Sequence, residues 1–313
     1  MNAGGKRRSC LITGASGFVG SHLAHALADE GWEVHAVLRT RSDGEVLERD
    51  ANPMILHRHD GSSEHLYEIV RGVQPDIVFH LAALVLSRHR PQDIEPMITS
   101  NILFGTQLLE AMAHAGVACL INTSTVWQHY CQQIYSPTCL YAAMKQAFES
   151  ILAYYVEAEG LRAITLTLPD TYGPRDRRNK LFSMLRAASA SGRVLPMTPG
   201  EQLLDLVHIR DVVKGYCTAA ERLLRGEVRG AEKYVLTSGN PVSLREVVRR
   251  YGEIAGRPVQ VAWGALSYRR REMMKPWSGG KPLPGWKAEI GLDEGLNTLV
   301  AEEGEKAHDG ETE

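Results

Sequence analysis

Short apolar runs alternate with longer amphipathic runs along the first half of the chain. The short runs are almost continuously apolar, as is typical of strands buried on both faces, and they lie at 9–13, 33–39, 54–60, 76–83, 118–124 and 163–170. The amphipathic runs are typical of helices, and they lie at 18–30, 63–73, 93–115, 138–159 and 178–191. This alternation predicts βαβ units and an α/β fold built on a Rossmann-type, doubly wound parallel sheet.

The pattern changes after about residue 175. Shorter elements follow, namely helices near 209–225 and 243–255 and a strand near 232–237, and several prolines stand between them. Proline interrupts regular elements because it lacks an amide hydrogen. We therefore expect this part of the chain to form a smaller and less regular lobe.

These patterns predict a Rossmann domain over 1–175, to which part of 205–240 returns. A smaller C-terminal lobe, to which the resemblance described below assigns substrate binding, is expected mainly over 176–300. The tail 301–313 is charged and has almost no large apolar side chain. Such a segment buries too little apolar surface to fold, so we predict that it is disordered.

The composition is that of an ordinary globular protein, with 44% hydrophobic residues, 23% charged residues and a formal net charge of −2. A nearly neutral chain has no strong field for nucleic acid or anionic membrane. No apolar run reaches the length of a membrane span, and the start of the chain does not resemble a signal peptide. The five cysteines are widely spaced without a C-x-x-C pair, which favours free thiols in a reducing compartment. We expect a cytoplasmic protein with no metal site and no nucleic-acid or membrane partner.

A glycine-rich turn follows the first strand, in "TGASGFVG". Gly14, Gly17 and Gly20 have G-x-x-G-x-x-G spacing at the mouth of a predicted helix. Glycines let the backbone approach a pyrophosphate, whose charge is stabilised at a helix N-terminus. The turn predicts a dinucleotide site with Gly14, Ser16, Gly17, Phe18 and Val19 as contacts.

The second strand ends at Arg39, and Arg41 follows two residues later. An NAD site usually has an acid there to bind the ribose 2′-hydroxyl, whereas a cation accommodates a 2′-phosphate. Asp43 is too far along the chain to serve as that acid. We therefore favour NADP(H) over NAD(H).

Two further strand ends carry candidate cofactor contacts. Asp60 ends the third strand, beside Gly61, and is a candidate acceptor for the adenine amino group. Small residues at the end of the fourth strand would let the cofactor lie close, and the candidates there are Leu81, Ala82 and Ala83.

Three residues after these strands suit proton and hydride chemistry. Thr123 lies at the end of the fifth strand, and Tyr141 and Lys145 share one face of a predicted helix. A free tyrosine has a pKa of about 10. A neighbouring ammonium and an oxidised nicotinamide favour the phenolate and bring that pKa towards the working range. With Thr123 donating a hydroxyl to the substrate oxygen, the set predicts interconversion of a carbonyl and an alcohol.

The chain resembles the extended short-chain dehydrogenase/reductase family, the NAD(P)-dependent nucleotide-sugar epimerases, dehydratases and reductases. The resemblance runs from about residue 9 to 300 and rests on Thr123 and on "TGASGFVG", "HLAA", "TSNILFGTQLLEA", "YAAMK", "DTYGP" and "LVHIRDVV". It implies a Rossmann domain, a nucleotide-sugar lobe and a Thr123–Tyr141–Lys145 triad.

The resemblance also implies roles for residues around the triad. Asn101 would support the active-site helix beside the cofactor, and Pro169 would contact the cofactor. His208, with Asp211 as its acid, would lie on the substrate side. The family also usually forms homodimers through two long helices, here 93–115 and 138–159.

The chain departs from the family at positions that determine which reaction a member catalyses. Dehydratases carry an acidic pair directly after the catalytic hydroxyl, but Ser124 and Thr125 stand there, so dehydration lacks its acid and base. Both remain candidate substrate contacts. Asp170 replaces an asparagine that contacts the sugar or its phosphate. The candidates for the diphosphate are cations of two clusters, which are Arg175, Arg177, Arg178 and Lys180 in one and Arg269, Arg270 and Arg271 in the other.

These features resemble the deoxysugar 4-ketoreductase branch of the family. The leading hypothesis is NADPH-dependent reduction of a nucleotide-activated 4-keto-6-deoxy sugar to an alcohol. The alternative enzyme is an NAD-dependent nucleotide-sugar 4-epimerase, which recycles its cofactor. A silent nucleotide-sensing protein on the same fold is a third hypothesis, and the intact triad disfavours it.

Overall fold

The computed structural model describes residues 7–42, 44–48 and 51–309, with side chains through Ala301. Its strands are β1 (Ser9–Thr13), β2 (Glu33–Arg39), β3 (Ile55–His59), β4 (Ile77–His80), β5 (Cys119–Thr125), β6 (Arg162–Leu168), β7 (Asp170–Tyr172), β8 (Leu195–Met197), β9 (Leu203–Leu204), β10 (Leu206–His208), β11 (Ala231–Val235), β12 (Val242–Ser243) and β13 (Val261–Trp263). Its α-helices are α1 (Phe18–Asp29), α2 (Ser63–Val73), α3 (Ile94–Ile98), α4 (Phe104–Ala115), α5 (Leu140–Ala158), α6 (Leu181–Ser191), α7 (Ile209–Leu224), α8 (Leu244–Ile254) and α9 (Leu292–Asp309).

Seven parallel strands form the main sheet in the order β11-β6-β5-β4-β1-β2-β3. The strand order reverses at β1, which lies between β4 and β2. This is the predicted doubly wound fold, which is thereby confirmed. In such a sheet, ligands bind beyond the carboxyl ends of the strands where the order reverses.

Helices cover both faces of the main sheet. Helices α1 and α7 pack on one face, around Ile12 and Ile121. Helices α2, α4 and α5 pack on the other, around Leu11 and Leu120. The side chains of adjacent residues in one strand therefore belong to different cores, because successive side chains point to opposite faces of the sheet. This two-sided burial explains why the strands are almost continuously apolar.

The predicted helix 93–115 contains a change of winding. Helices α3 and α4 are joined by a π-helical turn over Thr99–Leu103. Asn101 lies within this turn and is almost fully buried. Such turns aim a side chain inward that a regular helix would direct elsewhere.

The chain leaves the main sheet at Pro169, between β6 and β7. The sequence predicted one strand over 163–170, whereas β7 pairs with β10 in a separate two-stranded sheet. Proline has no amide hydrogen with which to continue a ladder. The break turns the chain towards the smaller lobe.

The smaller lobe is built from short strand pairs and three helices. Besides β7 and β10, the pairs are β9 with β12 and β8 with β13. Helices α6, α8 and α9 enclose its core, which includes Tyr172, Leu185 and Tyr251. The chain also returns to the main sheet, because β11 pairs with β6 and α7 packs against α1.

The end of the chain differs from the sequence expectation. Helix α9 runs to Asp309 and so includes the first part of the tail that was predicted to be disordered. The rest of that tail, 310–313, lies outside the described residues. No helix in the described part of the chain is long and apolar enough to cross a membrane.

Candidate active site

The turn after β1 needs glycine for two separate reasons. Gly14 has a φ of +73°, and a Cβ there would lie 2.6 Å from the amide nitrogen of Ala82. A Cβ on Gly20 would lie 2.2 Å from the carbonyl oxygen of Gly14. Helix α1 begins at Phe18, and its N-cap residue Gly17 supplies no side-chain cap. The first amides of the helix are therefore available to an anion, so the turn fits a pyrophosphate.

The edge beyond β2 is rich in arginine. Arg39 and Arg41 are both exposed there. Arg58, which the sequence analysis did not single out, extends from β3 and donates to the carbonyl oxygens of Thr40 and Ser42 at 3.2 and 3.0 Å. The loop after β2 is thus held by one arginine and flanked by two more. Asp43 lies outside the described residues.

Asp60 has an observed role at the end of β3. One of its carboxylate oxygens accepts from the amide and the hydroxyl of Ser62, both at 2.8 Å. These hydrogen bonds lower the pKa of Asp60. They hold Gly61 and the start of α2 in place beside the cofactor edge. The predicted contact with adenine remains a prediction.

The predicted catalytic residues lie at the carboxyl edge of the sheet, where α5 packs against β5. Thr123 is partly exposed, Tyr141 is 6% exposed and Lys145 is 2% exposed. The Tyr141 ring meets the Trp127 ring edge-on, with 6.2 Å between centroids. Burial raises the pKa of Tyr216, on α7, and the presence of Tyr141 adds to this effect. The Tyr216 hydroxyl is 2.6 Å from Thr123 Oγ1, so β5 is contacted by α7 as well as by α5.

Burial sets the protonation of the tyrosine and the lysine. It raises the pKa of Tyr141 above its ordinary value, because a phenolate is poorly solvated there. It lowers the pKa of Lys145 to about 8, against the opposing effect of Glu149 one helical turn away. The phenol is therefore protonated at neutral pH, and the lysine is mostly charged.

A polar network lies beneath Thr123. The Ser124 hydroxyl is 2.5 Å from Glu149 Oε1, and Lys233 Nζ is 2.7 Å from Glu149 Oε2. Gln128 Nε2 also donates to Glu149, at 3.0 Å. Thr125 Oγ1 accepts from the Trp127 amide at 3.2 Å. Ser124 and Thr125 are thus engaged within the protein, and their proposed contact with substrate remains a prediction.

Asn101 joins three segments around the active-site helix. Its amide nitrogen donates to the carbonyl oxygens of Leu84 and Met97 at 3.1 and 2.9 Å, and its oxygen accepts from the Leu84 amide at 3.2 Å. The nitrogen also lies 3.9 Å from Met144 Sδ on α5. These contacts tie the segment after β4, which includes Leu81 and Ala83, to α3 and α5.

Asp170 lies in a charged region of the smaller lobe. Its pKa is raised by burial, which outweighs the opposing effects of Lys180 and Arg269. Burial and the neighbouring Arg178 in turn lower the pKa of Lys180. The structure therefore brings Asp170, Lys180 and Arg269 into one electrostatic neighbourhood. Arg175 lies in the turn between β7 and α6, with a φ of +59°.

Two arginines of the later cluster have protein partners. Arg269 makes two hydrogen bonds to Glu272, at 2.6 and 2.8 Å, and lies 5.5 Å from the centroid of Trp127. Arg271 donates to Ser136 Oγ at 2.5 Å and lies 4.3 Å above the Tyr130 ring. Both guanidinium groups therefore fasten the 269–272 segment over the 127–136 loop.

Arg178, one of the cations predicted to be candidates for the diphosphate, links the two parts of the chain. Its guanidinium binds Asp176 at 2.6 and 2.7 Å and lies 4.3 Å above the ring of Phe18 at the start of α1. The nearby arginine-rich stretch was the available sequence signal. Only the fold shows which arginine meets the glycine-rich turn.

His208 caps a helix. Its Nδ1 accepts from the Arg210 amide at the start of α7, and its Nε2 is 3.2 Å from Thr298 Oγ1 on α9. Burial lowers its pKa to about 4. Asp211 accepts instead from the amides of Glu289 and Ile290, at 3.0 and 2.9 Å. The fully buried His208 joins the two parts of the chain, and its proposed contact with substrate remains a prediction.

Among the described residues, no cluster of three or more His, Cys, Asp or Glu side chains is arranged to hold a metal ion.

Comparison with known proteins gives one family and several related enzymes. The family described as "NAD dependent epimerase/dehydratase family" matches residues 10–234. CDP-abequose synthase of Salmonella muenchen is 25% identical over 297 residues, covering 94% of this chain and 97% of that protein.

Solved structures share the whole fold. MoeE5 in complex with UDP-glucuronic acid and NAD has a TM-score of 0.81 and 28% identity, covering 95% of this chain and 99% of that one. The UDP-glucose 4-epimerase of Thermus thermophilus, in complex with NAD, has a TM-score of 0.79 and 25% identity, covering 94% of this chain and 98% of that one.

Proposed function

Because the chain belongs to the NAD-dependent epimerase/dehydratase family, we propose that it is an NADPH-dependent reductase of a nucleotide-activated 4-keto-6-deoxy sugar. The reaction converts the ketone at carbon 4 of the sugar into an alcohol. One observation carries the proposal. Helix α5, which bears Tyr141 and Lys145, packs against β5, in which Thr123 is followed by hydroxyl residues instead of carboxylates.

In such a reduction, Tyr141, Thr123 and Lys145 would each have a different role. The nicotinamide cofactor supplies the hydride when it is bound at the glycine-rich turn. Tyr141 donates its proton to the ketone oxygen, and Thr123 donates a hydrogen bond to the same oxygen. Lys145 stabilises the phenolate that remains on Tyr141. Burial favours the protonated phenol in the resting protein, which is the state that reduction requires.

Dehydration does not suit this site. It needs an acid and a base directly after the catalytic hydroxyl, and Ser124 and Thr125 cannot supply either. The Ser124 hydroxyl is 2.5 Å from Glu149, which in turn binds Lys233. That carboxylate thus belongs to the network beneath the strand. The likeness to CDP-abequose synthase over nearly the whole chain supports a deoxysugar substrate.

The cofactor preference rests on the edge beyond β2. Arg39 and Arg41 are exposed there, and Arg58 holds the intervening loop. Three cations suit a 2′-phosphate, whereas an acid would suit a free 2′-hydroxyl. The related structures carry NAD, so the proposed preference for NADPH is a difference between this chain and those proteins.

The second candidate is an NAD-dependent 4-epimerase, favoured by the likeness to the NAD-bound UDP-glucose 4-epimerase of Thermus thermophilus. An epimerase oxidises carbon 4 and then reduces it from the other face, so the cofactor is restored in each turnover. A reductase consumes one NADPH per product and releases NADP. The fate of the cofactor therefore separates the two functions.

The decisive experiment combines bound-ligand analysis with turnover. Native mass spectrometry identifies any cofactor that the purified protein retains. CDP-, dTDP- and UDP-linked 4-keto-6-deoxyglucose are then each incubated with NADPH, and UDP-glucose is incubated without it. Consumption of one NADPH per alcohol formed supports the reductase. Retained NAD together with conversion of UDP-glucose to UDP-galactose, without net NADPH use, would replace it with the epimerase.

A further inference from the structure

A second tyrosine supports the hydroxyl of the site. Tyr216 on α7 has no exposed surface, and its hydroxyl is 2.6 Å from Thr123 Oγ1. Its ring packs in the main core beside Phe79, with 6.4 Å between ring centroids. The position of the phenol is therefore fixed by the apolar packing of its ring, so its hydroxyl binds Thr123 from a fixed position.

The direction of this hydrogen bond follows from acidity. A phenol has a pKa of about 10 and is a much stronger acid than an aliphatic alcohol, so Tyr216 is the better donor and Thr123 the better acceptor. Burial raises the pKa of Tyr216 further, which keeps its proton in place at working pH. With its oxygen accepting from Tyr216, Thr123 keeps its own proton for a third atom.

We propose that Tyr216 is a positioning residue, which holds Thr123 so that the threonine proton is directed into the cleft towards the reacting oxygen of the substrate. The inference rests on the proposed function and deepens it. A threonine side chain otherwise has several staggered conformers, and an accepted hydrogen bond selects one of them. Two hydrogen bonds in series also polarise each other, which strengthens the second.

A double-mutant cycle in kcat tests this role. The four proteins are wild type, Tyr216→Phe, Thr123→Val and the double variant. A neutral hydrogen bond corresponds to roughly 2- to 12-fold in rate, so Tyr216→Phe should lower kcat by about that factor when Thr123 is present. In the Thr123→Val background the same change should alter kcat by less than about twofold, because the group that Tyr216 positions is gone. Equal factors in both backgrounds would show that Tyr216 acts through general packing, and would overturn the proposal.

Tyr155→Phe is the matched control. The Tyr155 hydroxyl donates to Glu110 Oε2 at 2.6 Å, between α5 and α4. The control removes an equally short hydrogen bond from another buried tyrosine, without touching Thr123. It should leave kcat within about twofold of wild type in both backgrounds.

A measurement without turnover separates this inference from the proposed function. The hydroxyl proton of Tyr216 is shielded from water, so tyrosine-labelled protein should show it as a slowly exchanging, downfield NMR resonance. Thr123→Val removes the acceptor and should move this resonance upfield, and Tyr155→Phe should not. An unmoved resonance would overturn the inference. The comparison needs no variant at Tyr216, so it tests the hydrogen bond on which the inference rests even if Tyr216→Phe does not fold, or if wild type reduces no keto-sugar and the proposed function fails.

Discussion

Lys233 Nζ lies 2.7 Å from Glu149 Oε2, so a cation from β11 partly neutralises the carboxylate one helical turn from Lys145. Glu149 raises the pKa of Lys145, whereas burial lowers it to about 8. The charge of Lys145 therefore depends on the pair formed by Glu149 and Lys233.

The first prediction concerns the alkaline limb of kcat/KM. If protonated Lys145 is required, wild-type kcat/KM should fall as pH rises through about 8. Glu149→Gln removes the group that favours the ammonium, so the limb should move to lower pH. Lys233→Met releases Glu149 from its partner and should move the limb to higher pH. Shifts in the same direction for both variants would disprove this account of the pair.

Tyr141→Phe should remove nearly all turnover while NADPH affinity stays close to wild type, because the change deletes one proton donor and little volume. Single-turnover rates and fluorescence titration with NADPH measure the two quantities. Tyr135→Phe, at an exposed position, is the matched control and should change neither. Retention of more than about a tenth of kcat, equivalent to about 1.4 kcal/mol of barrier, would mean that Tyr141 is not the acid.

Arg39 should set the choice of cofactor. A charge-assisted contact with a 2′-phosphate contributes about 1.5–3 kcal/mol, so kcat/KM should favour NADPH over NADH by roughly 10- to 150-fold. Arg39→Asp should shrink or invert this ratio, and combining it with Arg41→Asp should do so fully. Arg39→Lys keeps the charge and serves as the control. Equal use of both cofactors by wild type would refute the assignment.

The protein should lose stability in acid through two buried histidines. His80 and His208 have pKa values lowered from 6.5 to about 3 and about 4. Below pH 6.5 the unfolded chain therefore binds more protons than the folded one, so the free energy of unfolding falls as pH falls. Each histidine should lower the free energy of unfolding by about 2 kcal/mol as the pH falls from 7.5 to 5. Urea unfolding at the two pH values measures the loss.

His80→Asn is the control for acid unfolding. Its side chain can still bind the Thr13 hydroxyl, which lies 2.8 Å from His80 Nδ1, but it does not titrate. The free energy of unfolding that this variant loses between pH 7.5 and 5 should be about 2 kcal/mol smaller than the loss in wild type. An unchanged loss would mean that His80 is not responsible.

The predicted homodimer depends on few side chains of α4 and α5. The apolar residues Leu108, Leu109, Met112, Phe148 and Leu152 are buried against the chain's own sheet. Leu103 and Tyr154 are 48% and 59% exposed and remain available to a partner. Light scattering at micromolar concentration should give the dimer mass. Leu103→Glu should lower it towards the monomer, whereas Leu266→Glu, at an exposed position of the other lobe, should not.

The sequence predicted those parts of the fold in which periodicity and burial agree. Strands β1 and β2 match their predicted bounds because their central residues are mostly apolar and buried, and because they end at a glycine turn or a charged residue. The π-helical turn around Asn101 was missed, since the apolar spacing continues through it. The separation of β7 from β6 at Pro169 was missed because the residues on both sides are typical of a strand.

In the candidate site, the sequence could indicate only those residues that belong to a short motif. Tyr141 and Lys145 are four residues apart and could be recognised together, whereas Tyr216 is 93 residues from the threonine that it contacts. A tyrosine on an amphipathic helix is indistinguishable in sequence from an ordinary core residue. The Ser124 side chain could face either the cleft or Glu149. The spacing of residues in the sequence does not reveal which direction it takes.

Helices on opposite faces of the sheet hold the reactive groups. Tyr141, the proposed proton donor, is carried by α5, whose side chains enter one core, and Tyr216, which binds Thr123, is carried by α7, whose side chains enter the other. For enzyme engineering, the two proposed donors to the substrate oxygen should therefore be separately adjustable. Repacking beneath α7 would change the strength of the threonine hydrogen bond, and repacking beneath α5 would change the placement of the acid.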